Sequence, residues 1–322
     1  MSMKKKPLVS IPLLTYNGEK YIKEQLDSIF SQTYTNIEII VFDDASTDNT
    51  VEILKTYEKK ENFSYHINKK NVGLRENSLL AFKACNGDLI APADQDDIWK
   101  KNKIELLVDN IGNNTLIYTD STPIDSDGKE LAPTYFSQFL NLIDGNDNKA
   151  FFFTNSISAH AMLFKKELLK YMFKIPDKMF YHDWWIAFIA ASYGNIKFFD
   201  EPLIYYRRHE KQITKNKDKN YKSIFARIKE REDSILKNRQ DIVNALESFT
   251  TLDIIDKDTE VLLNELIKYF KNFKSKYFDK NLYKLLLKYK DSFFAMRKDT
   301  DPKKAAKKLA RGLWHYRLKL YT

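Results

Sequence analysis

Apolar residues recur at two different spacings along the first hundred positions, and the spacing switches back and forth. LVSIPLLTY, residues 8–16, is a nearly unbroken apolar run and reads as a buried strand. GEKYIKEQLDSIFSQT follows with Tyr21, Ile22, Leu26, Ile29 and Phe30 at helical intervals, which makes one face of a helix apolar. IEIIVFDDAS is a second strand, apolar until Asp43 and Asp44. Ser46 to Thr50 then leads into VEILKTYEKK, a helix, and FSYHIN is a third short strand. GLRENSLLAFKAC is helical, NGD is a turn signal, and LIAPA runs into ADQDDIWKKNK. Such alternation predicts an α/β fold: a Rossmann-like, mostly parallel sheet with helices on both faces.

Beyond that stretch, KKNKIELLVDNI predicts a helix, TLIYTDS a strand, and residues 125–150 a turn-rich excursion. FFFTNSISAHAMLFKKELLKYM returns to strand and helix. DWWIAFIAASYG is a largely buried helix, and IKFFDEPLIYYRRH a short strand with a second extended run. From about Tyr221 onward the chain becomes long, polar and basic helical stretches. The aperiodic, lysine-rich ITKNKDKNYK therefore sets a boundary near 215, between a domain of residues 1–215 and a helical C-terminal region of 216–322.

Composition narrows the classes. With 322 residues, 43% hydrophobic and 14% aromatic, the chain has enough apolar material for more than one folding unit. No run of eighteen apolar residues is present, and MSMKKKPLVSIPLL reads better as a first strand than as a signal peptide, so the expected compartment is the cytoplasm. The single cysteine, Cys85, excludes an internal disulfide and a cysteine-cluster metal site, and reads as a small buried hydrophobe. Net charge is +9, but residues 269–322 carry 16 Lys and Arg against 4 Asp, so the rest is slightly acidic. Anionic partners are compatible with this balance; a nucleic-acid surface over the whole protein is not expected.

Three motifs fall just after apolar strands, where ligands of open parallel sheets collect. They are Leu14 to Glu19, Asp43 to Ser46, and Asp94 to Asp97. Thr15, Asn17 and Glu19 read as caps of the first helix, and Asp43 and Asp44 as caps of the second. The third motif is different, because three carboxylates within four positions repel unless a positive charge lies among them. A hard divalent cation, Mg2+ or Mn2+, meets that demand and can also hold phosphate oxygens. Neither a G-x-G-x-x-G turn nor a G-x-x-x-x-G-K-[ST] loop occurs, which counts against dinucleotide and P-loop enzymes.

Taken together, VSIPLLTYNGEKYI, EIIVFDDASTDNT, NKKNVGLRENSLLAFKACNGDLIAPADQDDIW and the later HDWW resemble the family 2 glycosyltransferases, inverting enzymes of the GT-A fold. The resemblance spans roughly residues 7–215 and is nearest in flavour to bacterial rhamnosyltransferases and other transferases of capsule, lipopolysaccharide and cell-wall polysaccharide synthesis. It implies a UDP- or dTDP-sugar donor, a glycan or lipid-linked acceptor, and a divalent cation, Mn2+ or Mg2+. Thr15, Tyr16 and Glu19 would form the mouth of the nucleotide pocket, with Tyr16 near the base. Asp43 or Asp44 would accept from the pyrimidine ring, and Lys70, Asn71 and Arg75 would line the nucleoside side. Asp94, Gln95 and Asp96 match the family's DxD motif, Asp94 facing the ribose or donor sugar and Asp96 the metal. Asp97 would order the loop or touch the sugar.

By the same resemblance Asp183 stands where the family's catalytic base is expected, and it equally reads as the cap of the helix at Trp184. His182 replaces a common acidic neighbour. His209, after IYYRR, would reach the metal or diphosphate, while Arg207 and Arg208 are weaker candidates for phosphate contact, since a charge pair is usually solvated surface. Trp99, Ser158, His160, His182, Trp184 and Trp185 would border the acceptor, Trp99 reading equally as packing beneath the metal loop. The basic tail admits two readings, an amphipathic contact with an anionic bilayer surface and a helical bundle packed on the catalytic domain or a second subunit. Two rivals remain open: a sugar-phosphate nucleotidyltransferase, which normally needs a glycine-rich basic loop that TYNGEKY supplies poorly, and a non-enzymatic binder of anionic surfaces or nucleic acid.

Overall fold

The computed structural model describes residues 6–179, 181–209, 224–272, 278–298 and 300–312, and for residues 224–236 the backbone alone. The boundary expected near 215 and the end of the basic tail, 313–322, lie outside the described residues. Two compact units make up the chain, and they are interleaved in sequence. One contains residues 1–135, 157–173 and 194–209; the other contains 136–156, 174–193 and 210–322.

The first unit opens with β1 (Val9–Thr15), α1 (Ile22–Phe30), β2 (Ile37–Asp43), α2 (Thr50–Lys55), β3 (Phe63–Ile67) and α3 (Leu74–Lys83). Short strands β4 (Leu89–Ile90), β5 (Ala93–Asp94) and β6 (Ile98–Trp99) precede α4 (Lys103–Ile111), β7 (Leu116–Thr119) and β8 (Thr122–Ile124). After an excursion into the second unit come β9 (Met162–Lys165) and α5 (Leu169–Met172). The helix α6 (His182–Tyr193) belongs to the second unit, and β10 (Ile196–Phe199) and β11 (Ile204–Arg207) return to the first.

The main sheet runs β10-β7-β9-β4-β1-β2-β3, with β5 also pairing β1. All of these pairings are parallel except those of β9, which runs antiparallel to β4 and β7. Val9, Ile11 and Leu13 of β1 and Ile39 and Val41 of β2 are fully buried, as expected of central parallel strands covered on both faces. From α1, Ile22, Leu26 and Ile29 join the same core; from α4, Ile104, Leu107 and Ile111 do. The expected α/β architecture is present.

A second, three-stranded sheet orders β6-β11-β8. Here β11 runs antiparallel to β6, with Tyr205 opposite Ile98 and Ile204 opposite Trp99, and parallel to β8. The sequence shows an extended run at 204–207 but does not mark Ile98 and Trp99, inside the acidic motif, as its partner. Only this pairing carries the end of β11 back along the acidic motif.

The second unit is built on α6, whose residues Trp184 to Ala191 are all buried. Phe249 at the end of α7 (Ile224–Phe249) stacks on Phe188 with ring centroids 3.7 Å apart and lies parallel to Trp185. The helices α8 (Lys257–Lys271), α9 (Lys280–Lys288), α10 (Lys290–Phe293) and α11 (Pro302–Leu309) follow. FFF at 151–153 was expected as a strand but lies at and just after a 3-10 turn, Asn148–Phe151. Phe152 meets Phe188 and Phe293 while Phe153 meets Phe270 and Phe293, so neighbouring rings enter one core. A strand would have turned them to opposite faces.

Leu282 and Leu286 of α9 and Ala305, Ala306 and Leu309 of α11 are buried within their unit, while Lys280, Lys284, Lys288, Lys303, Lys304, Lys307 and Lys308 are exposed. No helix of the described residues is long and apolar enough to cross a membrane. Leu13→Ala, at the centre of the sheet, is expected to lower stability in urea titration by about 2–5 kcal/mol. Lys303→Ala, on the exposed face of α11, should change it by less than about 0.5 kcal/mol.

Candidate active site

Strand register alone brings the three motifs together. Thr15 is level with Asp43 across the β1–β2 pair, Asp43 with Ile67 across β2–β3, and Leu14 with Asp94 across β1–β5. Side chains then lock the rim. Thr15 Oγ1 donates to Asp43 Oδ2 at 2.8 Å, and Asp43 also accepts from the amide and hydroxyl of Ser46. Asn17, in the left-handed region at φ 49°, donates its amide to Ser46 Oγ and accepts from the Thr47 amide. Glu19 accepts from the amide and side chain of Asn49 at 3.0 and 2.8 Å. The 16–19 and 46–50 loops are thus zipped along their length.

Gln95 joins the third motif to the first. Its Oε1 accepts from the Tyr16 amide at 2.9 Å, and its Nε2 donates to the Tyr16 carbonyl at 3.1 Å, so the side chain acts as one rung of a sheet. A Cβ on residue 18 would collide with that amide, which explains the glycine of TYNGEKY. Tyr16 itself is 47% exposed.

Asp43 and Asp44, expected at the pyrimidine, are both buried and engaged within the protein. Asp44 Oδ1 accepts from Asn68 Nδ2 at 2.9 Å and from the Val72 amide at 2.8 Å, and Oδ2 from the Gly73 amide at 2.8 Å. It therefore shapes the loop that carries Lys70 and Asn71, both exposed, toward Arg75. Asn77, fully within α3, holds Asn68 and the Phe42 carbonyl in the same network. Sequence reasoning missed Asn68 and Asn77, for nothing in a lone asparagine marks its partner.

The acidic motif is braced by basic side chains from a remote part of the chain. Asp96 Oδ2 lies 2.8 Å from His209 Nε2, and the His209 ring packs 5.0 Å from Tyr21. Arg207, read from the sequence as solvated surface, is 2% exposed. Its Nε donates to the Asp96 carbonyl at 3.0 Å and Nη2 to Glu24 Oε2 at 2.5 Å, while its amide donates to Asp97 Oδ1 at 3.1 Å. The guanidinium lies 4.6 Å from the Tyr21 ring centre. The correction has a plain cause: a β-strand alternates faces, so Arg207 points inward and Arg208 toward Tyr135.

His160, Trp99, Trp184 and Trp185 are also corrected, because burial removes them from any acceptor surface. His160 is 4% exposed, with Nε2 3.1 Å from Ser121 Oγ, its ring stacked on Tyr206, and Nδ1 turned to Asp94 and Asp97. Trp99 is buried beneath the motif, with Lys103 Nζ 3.2 Å from its ring centre. Lys103 is fully buried and donates to the His160 carbonyl at 2.7 Å. Among the lysines after the motif it alone is turned inward in this way, by the helical start that also buries Ile104 and Leu107. Ser158, half-buried, accepts from the Ala161 amide.

Charge and burial oppose each other here. Burial, reinforced by Asp96 and Asp94, pushes the Asp97 carboxyl up to about 8 against the pull of His160. Burial would lower His160, but the Asp97 and Asp94 carboxylates outweigh it and raise its pKa. Burial drives the Lys103 ammonium well below its ordinary value.

In the second unit Asp183 and His182, both half-buried, open α6. Asp183 Oδ1 accepts from the Trp184 amide at 2.7 Å. Trp184 donates its indole N–H to the Phe151 carbonyl at 2.6 Å, and both tryptophans turn into the core of this unit.

A mostly parallel sheet whose strand ends gather a capped rim loop, an Asp-Asp loop and a D-x-D loop beside a histidine is an α/β arrangement of the GT-A type. The profile described as "Glycosyl transferase family 2" matches residues 10–173, and the chain belongs to that family: it is a glycosyltransferase. The chain is 32% identical over 217 residues to the dTDP-rhamnosyl transferase RfbG of Shigella flexneri, a match covering 62% of this chain and 72% of that protein. It is 33% identical over 137 residues to the chondroitin synthase of Escherichia coli, covering 42% of this chain and only 20% of that longer protein. Among solved structures, Staphylococcus aureus TarS 1–349 in complex with UDP-GlcNAc shares the fold, with a TM-score of 0.57 at 19% identity over 88% of this chain and 81% of that one.

The Gln95 rung is testable by a double-mutant cycle. Gly18→Ala is expected to cost about 1–3 kcal/mol through overpacking. In the Gln95→Ala background it should cost less, by at least about 0.5 kcal/mol, in denaturant titration.

Proposed function

We propose that this glycosyltransferase is metal-dependent and inverting, moving a sugar from a UDP- or dTDP-sugar to a hydroxyl of a bacterial surface polysaccharide or a lipid-linked saccharide. The observation that carries the reading is the Asp96–His209 pair, 2.8 Å apart on the rim shared by Thr15, Tyr16, Asp43 and Asp94. The names of the two relatives and the ligand of TarS support the donor classes and a glycan product.

A divalent cation suits this pair by its donor chemistry. One carboxylate oxygen and one imidazole nitrogen, each on a side chain about one-sixth exposed or less, fit Mn2+ well and Mg2+ acceptably. When bound, the cation supplies Lewis-acid stabilisation for the charge that grows on the departing nucleoside diphosphate. Asp96 and His209 hold it. Tyr16 offers an exposed face to the base, Thr15 and Glu19 fix the pocket mouth, and Gln95 sets the height of Tyr16. Asp43 and Asp44 act through the loops they fix, the second carrying Lys70, Asn71 and Arg75 toward the nucleoside. Asp94 orients the ribose or donor sugar.

Asp183 is the general base in this reading. It accepts the proton of the acceptor hydroxyl as that oxygen bonds to the anomeric carbon from the face opposite the leaving group. The anomeric carbon–oxygen bond to the diphosphate breaks, its electron pair leaves with the diphosphate, and no glycosyl-enzyme forms. Ser158 and His182 remain as acceptor contacts. The protein works at the cytoplasmic side, where the exposed lysines of α9 and α11 meet anionic headgroups without insertion, since the leucines beside them are buried.

The test is a screen of UDP and dTDP sugars with Mn2+ or Mg2+, reading donor hydrolysis and transfer. Asp96→Ala should abolish both and weaken metal-supported donor binding. Asp183→Ala should slow transfer by about 10²–10⁴-fold with donor binding retained; undiminished transfer would remove Asp183 as the base.

A further inference from the structure

His160 comes up against Asp94 and Asp97 of the acidic loop, and the catalytic reading, which uses Asp94 alone of the three, leaves this convergence without a role. We propose that these three residues form a second, buried site for a borderline divalent cation of the Zn2+ or Mn2+ type, separate from the Asp96–His209 pair. The inference stands without any assignment of the catalytic cation.

Geometry argues for a cation over an ordinary ion pair. His160 Nδ1 lies 3.3 Å from Asp94 Oδ2 and 3.5 Å from Asp97 Oδ2, and the three ligand atoms fall within 4.8 Å of one another. Charge-assisted N–H···O bonds close to about 2.7–2.9 Å, so neither separation is that of a strong hydrogen bond. Ligand atoms around one cation at about 2.0–2.2 Å, by contrast, stand about 3.0–3.5 Å apart, as His160 Nδ1 does from each carboxylate.

The orphan in the cluster points the same way. Asp97 is 1% exposed, and its Oδ2 accepts no hydrogen bond although Oδ1 is held by the Arg207 amide. A buried carboxylate oxygen left without a donor is costly, and a bound cation supplies what it lacks. Lys103 is nearby, but its Nζ donates to the His160 carbonyl and lies over the Trp99 ring. On the far side of the imidazole, Ser121 Oγ stands 3.1 Å from Nε2. With the proton on Nε2 directed to that hydroxyl, Nδ1 is bare and faces two carboxylates, which is the outer partner and inner lone pair of a metal-bound histidine.

A cation here ties the loop of residues 94–97 to the segment entering β9 and fixes the Asp94 carboxylate. One imidazole and two carboxylates, with His160 and Asp97 buried and Asp94 partly exposed, favour a borderline ion over Ca2+.

The experiment titrates the full chain with Co2+ alone, without nucleotide, and follows the visible d–d bands. In a His209→Gln background, which removes the other cation pair, the chain should still bind Co2+, and adding His160→Gln should abolish the bands while keeping the far-ultraviolet circular dichroism. Ser121→Ala, which leaves all three ligands in place, should weaken Co2+ by about 10–100-fold, and this variant decides if His160→Gln fails to fold. Absence of Co2+ bands in His209→Gln, their persistence when His160→Gln is added to it, or unweakened binding when Ser121→Ala is added to it overturns the site.

Discussion

Like charge crowded into one loop is the constraint on which the rest of the first unit depends. Asp94, Asp96 and Asp97 stand within four residues at the end of β5, and burial at Asp97 raises the cost of ionising them together. The chain answers by bringing four positive or proton-bearing groups from three places in the chain. Lys103 comes from the start of α4, His160 from the turn before β9, and Arg207 and His209 from the end of β11. Each arrives through the backbone rather than by chance contact. The antiparallel β6–β11 register sets residues beyond 205 alongside those before 98, so Arg207 reaches the Asp96 carbonyl and His209 its carboxylate.

This arrangement divides labour among carboxylates that look alike in sequence. Asp43 and Asp44 act inward, the first on Thr15 and Ser46, the second on the amides of Val72 and Gly73. Asp96 remains near the surface with one imidazole beside it, and Asp94 keeps a side chain 44% exposed. The difference lies in which oxygen atoms are already satisfied. A carboxylate with several amide donors organises a loop, as Asp44 does.

Much of this was legible in the linear pattern. Continuous apolar runs in β1 and β2 with helical stripes between them specify strands buried on both faces, and such strands place their carboxyl ends on one rim. Tyr16, Asp43 and Asp94 were recognisable as rim residues for that reason. Arg207 was misread because a charge pair after an aromatic run carries no sign of which member faces inward. Trp99 and the α6 tryptophans illustrate the same gap: an aromatic next to a functional motif serves a sugar and a core equally well until the helix or strand is oriented. The interleaving of the units was hidden as well, since residues 136–156 differ little in composition from the loops of the first unit.

By itself the sequence determined the local periodicities, hence the elements, their parallel assembly, and the family's chain of motifs. Tertiary structure alone decided the pairings across sixty or more residues: Gln95 with the Tyr16 backbone, His209 with Asp96, and His160 with Asp94 and Asp97. The physical reason is range. Backbone periodicity is a property of neighbours a few positions apart, whereas charge compensation in a buried loop depends on strand register and burial, and neither exists until the sheet has formed.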